Sequence, residues 1–262
     1  MEHPSKKPLV FITGAFFGNN CWNNWRTYFE GKGYPCIAPS WPHKDATPEE
    51  LRNRHPDAAM ASSRLENLTD HFATITQTLP EKPVLIGHSL GGLIVQILLQ
   101  RGFAAAGVAI RSFPAGGFST STISFFSAMW SPMGFFTSSQ KTYMISFRKW
   151  RTSVANGMTC QEQKQSFYEY ATPESKRLIR DTFNSVNKID FEKEGPPLLF
   201  LSGGCDRVTS EALNFNNYMG YFRSNSITYK NFKNRNHLFF GHQGWEEEAD
   251  YVLNWLQGLQ RK

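Results

Sequence analysis

The chain has 262 residues, the length of one large domain or of a core with an insertion. Charged residues make up 19% and hydrophobic residues 40% of the composition, which excludes a disordered chain. The net charge of +6 is the difference between 28 Lys and Arg residues and 22 Asp and Glu residues. These charges are scattered along the sequence, so we interpret them as a solvated surface and predict no nucleic-acid partner.

Short apolar runs recur along the chain, each bounded by Gly, Pro or polar residues. Such runs are typical of strands buried in a parallel sheet. They cover residues 8–12, 36–38, 83–86, 107–110 and 198–201, and a weaker run at 226–229 follows as the last predicted strand.

Between these runs, apolar residues recur with helical spacing. Because strands that alternate with helices form right-handed β-α-β units, the pattern predicts a parallel sheet covered on both faces. The helical stripes begin at Trp22, Leu65, Leu90 and Trp245, and a further one consists of Ala212, Phe215 and Met219.

Residues 113–190 interrupt the alternation. This segment starts with a Pro-Ala-Gly-Gly sequence and a Ser/Thr-rich run, and it contains no clear buried strand. It is too long for a plain connecting loop. We therefore predict a mostly helical insertion between two strands.

The four cysteines, Cys21, Cys36, Cys160 and Cys205, lie far apart and form no C-x-x-C pair. This spacing argues against both a zinc site and a disulfide scaffold. No apolar run approaches the roughly 18–20 residues that span a membrane, and residues 1–8 lack the apolar stretch of a signal peptide. We predict a cytoplasmic protein without metal or cofactor and leave its oligomeric state open.

The strongest chemical signal is the sequence Gly87-His88-Ser89-Leu90-Gly91, which fits the pattern G-x-S-x-G. It lies between a predicted strand and a predicted helix, where a sharp turn pushes a serine hydroxyl out of the sheet. The same turn directs backbone N–H groups at the start of the helix toward a reacting atom. The pattern therefore predicts that Ser89 is a nucleophile.

A serine nucleophile needs a base, and the base needs a carboxylate to orient it. Asp206 follows the strand at 198–201, and His237 follows the last predicted strand. Both are expected at the carboxyl edge of the sheet, where parallel sheets bind ligands. His242 is the alternative base, whereas His88 is expected to serve in packing.

These segments resemble the α/β-hydrolase superfamily, in its serine esterase or lysophospholipase-like branch. The resemblance covers nearly the whole chain apart from the insertion. It implies an α/β-hydrolase fold in which Ser89 is the nucleophile, His237 acts as general base and then acid, and Asp206 orients His237.

The resemblance also has consequences for the architecture. Residues 1–112 and 191–262 would form the core, and residues 113–190 a helical cap, or lid, over the site. Family members usually have two strands before the first strand found here. Their absence implies a minimal sheet of about six mostly parallel strands flanked by helices.

An oxyanion hole is the next expectation from the resemblance. One donor would be the backbone N–H of Leu90, immediately after the nucleophile. The other would come from the loop after the first strand, where we favour Ala15 and consider Phe16 next. Thr13 stands where the family commonly has His, a departure that a backbone donor tolerates.

The chain contains 22 phenylalanines, and aromatic residues concentrate in the insertion. We predict a small-molecule ester or lactone substrate with an apolar acyl or alkyl part. Contact of residues 130–136 with a membrane surface is a weaker alternative. The residues expected to line the substrate pocket are Phe17, Phe113, Phe126, Trp130 and Phe136.

Two other functions stay open. A perhydrolase, thioesterase or C–C hydrolase would use the same residue types at the same positions. A non-catalytic small-molecule receptor would use the fold as a binding pocket, because a fold alone does not fix a function.

Overall fold

The computed structural model describes residues 6–115, 137–183, 189–221 and 226–259. Six strands form one sheet in the order β2-β1-β3-β4-β7-β8, and every neighbouring pair in it is parallel. A second, antiparallel sheet consists of β5 and β6. The strands are β1 Leu9–Ile12, β2 Cys36–Ile37, β3 Val84–His88, β4 Ala106–Ile110, β5 Thr142–Tyr143, β6 Glu174–Ser175, β7 Leu198–Gly203 and β8 Ile227–Phe232.

Helices connect the strands of the large sheet and cover it. A 3-10 turn, Asn19–Trp22, precedes the first helix, and a π-helical turn, Trp150–Val154, follows the sixth. The helices are α1 Asn23–Gly31, α2 Pro48–Asn53, α3 Ala58–Ala61, α4 Leu65–Gln77, α5 Leu90–Gln100, α6 Phe147–Lys149, α7 Cys160–Tyr170, α8 Lys176–Asp181, α9 Glu211–Gly220 and α10 Trp245–Leu259.

The central strands are buried along their whole length. Every residue of β1, β3, β4 and β7 is buried, as expected for a parallel sheet with helices on both faces. Helix α5 packs an almost continuously buried surface against β3 and β4. The predicted six-stranded α/β fold is therefore confirmed.

Helix α9 forms where a helix was predicted, but it buries a different face from the one that the apolar spacing indicates. Ala212, Phe215 and Met219, the expected inward stripe, are exposed, whereas Leu213 and Asn214 are buried. The reason is that two of the three buried residues of α9, Asn214 and Asn217, are polar. Asn214 accepts a hydrogen bond from the N–H of Ser112, 2.9 Å away, and donates one to the carbonyl of Thr209 at 3.0 Å.

Within the predicted insertion, residues 137–183 contain helices α6, α7 and α8 and the π-helical turn. They also contain the β5–β6 ladder, in which Thr142 pairs with Ser175 and Tyr143 with Glu174. These strands were not predicted because two residues are too few to show an alternating pattern. Helix α7 begins with a capping box between Thr159 and Glu162, a signal that the sequence did contain.

Candidate active site

Ser89 lies on a strained turn between β3 and α5. Its backbone has φ 56° and ψ −118°, a conformation that residues other than glycine rarely adopt. A Cβ on Gly91 would lie 2.1 Å from the carbonyl oxygen of Ile12, and one on Gly87 would lie 2.2 Å from that of Gly91. Both glycines of the pattern are therefore required by close backbone contact.

The structure brings Ser89, His237 and Asp206 together. The Oγ atom of Ser89 is 3.1 Å from Nε2 of His237. On the other side of the ring, Nδ1 of His237 is 2.8 Å from Oδ2 of Asp206. Both distances are those of hydrogen bonds, and all three residues are buried. A proton can thus move between the hydroxyl and the imidazole.

Asp206 is held by the loop that follows β7. Its Oδ1 accepts hydrogen bonds from the backbone N–H groups of Val208, at 2.7 Å, and Thr209, at 2.9 Å. The Thr209 hydroxyl lies 3.0 Å from Oδ2 of Asp206 and 2.8 Å from the carbonyl oxygen of Arg111. These contacts fix the carboxylate in the orientation that meets His237.

His88 contacts the segment that carries His237 through a hydrogen bond and through ring packing. Its Nε2–H donates to the carbonyl oxygen of His237 at 2.9 Å, since that oxygen can only accept. Its ring packs against the rings of Phe17, Phe239 and His237. Burial, followed by the proximity of His237 and Arg111, lowers the pKa of His88 well below its ordinary value. His88 is therefore a neutral packing residue.

His242, the alternative base, lies elsewhere. Its Nδ1 is 2.9 Å from the carbonyl oxygen of Gln243, and its Nε2 is 3.9 Å from Oε1 of Glu248. Burial lowers the pKa of His242. His242 thus contacts Gln243, just before α10, and Glu248 within α10, so its position does not support a role at Ser89.

The loop after β1 passes directly against Ser89. A Cβ on Gly14 would lie 2.8 Å from the Cβ of Ser89. Phe16 adopts φ 69°, and its N–H donates to Oε2 of Glu174 over 3.4 Å. The N–H of Phe16 already has this partner. The N–H of Ala15 is therefore the stronger candidate from this loop for the second oxyanion donor beside the N–H of Leu90.

An apolar cavity opens next to Ser89 and His237. Phe17 and Phe113, two of the residues expected at the substrate pocket, line this cavity. Phe126, Trp130 and Phe136 lie outside the described residues. No pattern in the sequence indicated several other lining residues, because their contact with the cavity depends on how distant segments fold against it. These are Ile145, Lys149, Ser153 and Val154, together with Val208 from the loop of Asp206.

The chain also matches a known protein family. A model described as the alpha/beta hydrolase family matches residues 9–250. The chain therefore belongs to the alpha/beta hydrolase family, which confirms the resemblance noted in the sequence. No curated protein sequence matches the chain significantly.

Solved structures match over almost the whole chain. A methylesterase from Arabidopsis is 13% identical with a TM-score of 0.68, and the match covers 96% of this chain and 99% of the methylesterase. A monoacylglycerol lipase from Paleococcus ferrophilus is 18% identical with a TM-score of 0.69, over 98% of this chain and 96% of the lipase. A pyrethroid hydrolase from Sphingobium faniae is 16% identical with a TM-score of 0.67, over 98% and 99%. At these identities the similarity establishes the fold.

The described residues also show whether a membrane-spanning helix or a cluster of metal-binding side chains is present among them. No helix among them combines the length and hydropathy needed to cross a bilayer. Within the same residues, no three side chains of His, Cys, Asp or Glu come together in a way that could hold a metal ion.

Proposed function

We propose that this protein is a serine hydrolase that cleaves carboxylic esters through an acyl-enzyme on Ser89. The observation that carries the proposal is the continuous hydrogen-bonded path from Ser89 through His237 to Asp206, with distances of 3.1 Å and 2.8 Å. Ser89 lies on a strained turn, and the chain belongs to the alpha/beta hydrolase family. Both observations support catalysis over a chance arrangement.

In the first half of the reaction, Nε2 of His237 takes the proton of Ser89 as Oγ attacks the ester carbonyl carbon. The backbone N–H groups of Leu90 and Ala15 would donate to the oxyanion that forms. Asp206 holds the ring in the tautomer with Nε2 free and stabilises its positive charge. The imidazolium then protonates the leaving alkoxide, and the C–O bond breaks to give the alcohol and acyl-Ser89.

In the second half, water replaces the alcohol. His237 removes a proton from the water as its oxygen attacks the acyl carbon. The second tetrahedral intermediate collapses, Ser89 recovers its proton from His237, and the carboxylic acid leaves. No cofactor takes part in either half.

The substrate part of the proposal is a small ester or lactone with an apolar acyl or alkyl group. The lining of the cavity by Phe16, Phe17 and Phe113, with Ile145 and Val154 from the insertion, supports it. We also propose that residues 113–190 act as a cap, because Ile145 and Val154, which line the cavity, belong to that segment. The names methylesterase, monoacylglycerol lipase and pyrethroid hydrolase, borne by similar structures, are consistent with an ester.

The test is steady-state hydrolysis of p-nitrophenyl esters from acetate to laurate. We expect turnover with a chain-length optimum, and a loss of at least about a thousandfold in kcat for Ser89→Ala and His237→Ala. His242→Ala is the matched control and should retain kcat within about threefold. Loss with His242→Ala but not with His237→Ala would overturn the assignment of the base.

The same series separates the alternatives. A receptor would bind the esters without turnover or release a single equivalent of nitrophenol. A thioesterase, perhydrolase or C–C hydrolase would keep Ser89-dependent chemistry but prefer a thioester, a peroxide co-substrate or a diketone over every ester in the series. Uniformly poor ester turnover that still depends on Ser89 would favour this second group.

A further inference from the structure

A buried ion pair lies behind the loop that carries Ala15 and Phe16. Nζ of Lys44 is 2.9 Å from Oε2 of Glu174, and the two side chains are only 4% and 1% exposed. Lys44 also lies over the ring of Trp41, 4.8 Å from its centroid. Neither Lys44 nor Glu174 takes part in the reaction steps proposed above.

One carboxylate joins three parts of the chain. Glu174 belongs to β6 of the insertion, and Lys44 to the segment between β2 and α2. Oε2 of Glu174 accepts from both Lys44 and the N–H of Phe16, while Oε1 accepts from the N–H of Ser175 at 2.9 Å. The orientation of the Ala15–Phe16 peptide plane is thereby tied to the insertion.

The backbone strengthens this connection. Phe17 forms an antiparallel bridge with Ala171. The N–H of Thr172 donates to the carbonyl of Phe16 at 2.9 Å, and the N–H of Gly18 donates to that of Tyr170 at 3.1 Å. Residues 16–18 therefore lie against residues 170–172 like a short pair of strands, next to Ser89.

The loop needs such support because Phe16 has φ 69°. A bulky residue in that conformation is strained and persists only where its surroundings impose it. A buried ion pair is also costly to desolvate and is often replaceable by apolar residues without loss of stability. Stability alone therefore does not account for a carboxylate at this position.

We propose that Glu174, with Lys44 as its counter-charge, is a positioning residue for the oxyanion loop. By holding the Phe16 N–H, Glu174 fixes the peptide that follows Ala15 and thereby the course of the loop that presents the N–H of Ala15 to the oxyanion. The inference rests on the proposed function, because it assigns a purpose to the loop only if Ser89 forms tetrahedral intermediates.

Two double variants separate positioning from packing. Glu174→Gln/Lys44→Met removes both charges and keeps an oxygen that can accept from Phe16. Glu174→Leu/Lys44→Met removes both charges and the acceptor. Both avoid an unpaired buried charge, and similar unfolding midpoints in urea would show that both retain the fold.

With p-nitrophenyl butyrate, we expect Glu174→Gln/Lys44→Met to keep kcat within about threefold of wild type. For Glu174→Leu/Lys44→Met, kcat should fall about 30- to 100-fold with KM within about threefold, because a misplaced oxyanion donor affects the transition state and not the bound ester. Equal kcat in the two double variants would overturn the proposal.

Glu174→Asp covers the case in which the leucine variant does not fold. It keeps the charge opposite Lys44 but withdraws the carboxylate from Phe16, so kcat should fall at least about tenfold with KM nearly unchanged. Wild-type kcat in Glu174→Asp would equally overturn the proposal. Absence of Ser89-dependent hydrolysis in the wild-type protein would instead contradict the proposed function itself.

Discussion

Arg111 and Glu248 face each other in the interior through two hydrogen bonds, Nη1 to Oε2 at 3.0 Å and Nη2 to Oε1 at 2.8 Å, and neither side chain is exposed. Arg111 follows β4, and Glu248 lies in α10. The carbonyl of Arg111 accepts from Thr209, which contacts Asp206. Arg235, two residues before His237, brings its Nε to 3.5 Å from Glu248. The pair thus supports the loops of both Asp206 and His237.

Breaking this pair should be costly for stability. Glu248→Gln leaves Arg111 buried without its counter-charge, and Arg111→Met leaves Glu248 with the longer contact to Arg235 at 3.5 Å. Each should therefore lower the free energy of unfolding by about 3–5 kcal/mol in urea titrations. The double variant Arg111→Met/Glu248→Leu should recover part of that loss. Glu81→Gln, which breaks the exposed pair with Lys7, is the control and should change it by less than about 1 kcal/mol. Single variants as stable as this control would contradict the account.

The close approach at the Ser89 turn yields a prediction about glycine. In Gly91→Ala the new methyl group would meet the carbonyl oxygens of Ile12, at 2.1 Å, and Thr13, at 2.7 Å. Backbone must move, so we expect a loss of about 3 kcal/mol or more in unfolding free energy. The control is Gly258→Ala in α10, where the new Cβ would have no atom within 4 Å apart from its own stretch of helix. That variant should gain about 0.5–1 kcal/mol from helix propensity, and an equal effect of the two substitutions would refute the steric argument.

The buried neutral His88 predicts acid sensitivity. The folded protein keeps its pKa well below the ordinary value of 6.5, whereas the unfolded chain takes up a proton near that value. Unfolding therefore binds a proton below about pH 6.5, and the free energy of unfolding should fall there by up to about 1.4 kcal/mol per pH unit.

His88→Gln isolates this contribution, because glutamine keeps an N–H donor and does not titrate. Urea titrations between about pH 7.5 and 5.5 should give a shallower decline for the variant than for wild type. The comparison concerns the slope, so a constant loss of stability in His88→Gln does not affect it. Parallel slopes would show that His88 does not contribute.

Much of the fold and the candidate site was predictable because its determinants are local. Strands such as β3 and β4 are short apolar runs, and the Gly87–Gly91 pattern is a run of five consecutive residues that marks the turn at Ser89 directly. Asp206 and His237 were predictable because each follows a strand whose carboxyl end reaches the same edge of the sheet.

Other features depend on partners distant in sequence. Lys44 and Glu174 are 130 residues apart, and Arg111 and Glu248 are 137 apart. Each of these residues, considered alone, resembles a surface charge, and nothing local indicates burial. The buried face of helix α9 was predicted wrongly for a related reason. The spacing of its apolar residues indicates one face, whereas Asn214 is buried on another through hydrogen bonds to two loops.

Covalent labelling of Ser89 tests the central claim most directly. In wild-type protein treated with a fluorophosphonate, Oγ of Ser89 should displace fluoride from phosphorus, release HF and leave one phosphonyl group per chain, which peptide mapping by mass spectrometry should locate on Ser89. His237→Ala should react at least about a hundredfold more slowly, because the hydroxyl then lacks its base. A wild-type protein that stays unlabelled, or one labelled at the same rate in His237→Ala, would contradict a serine activated by His237.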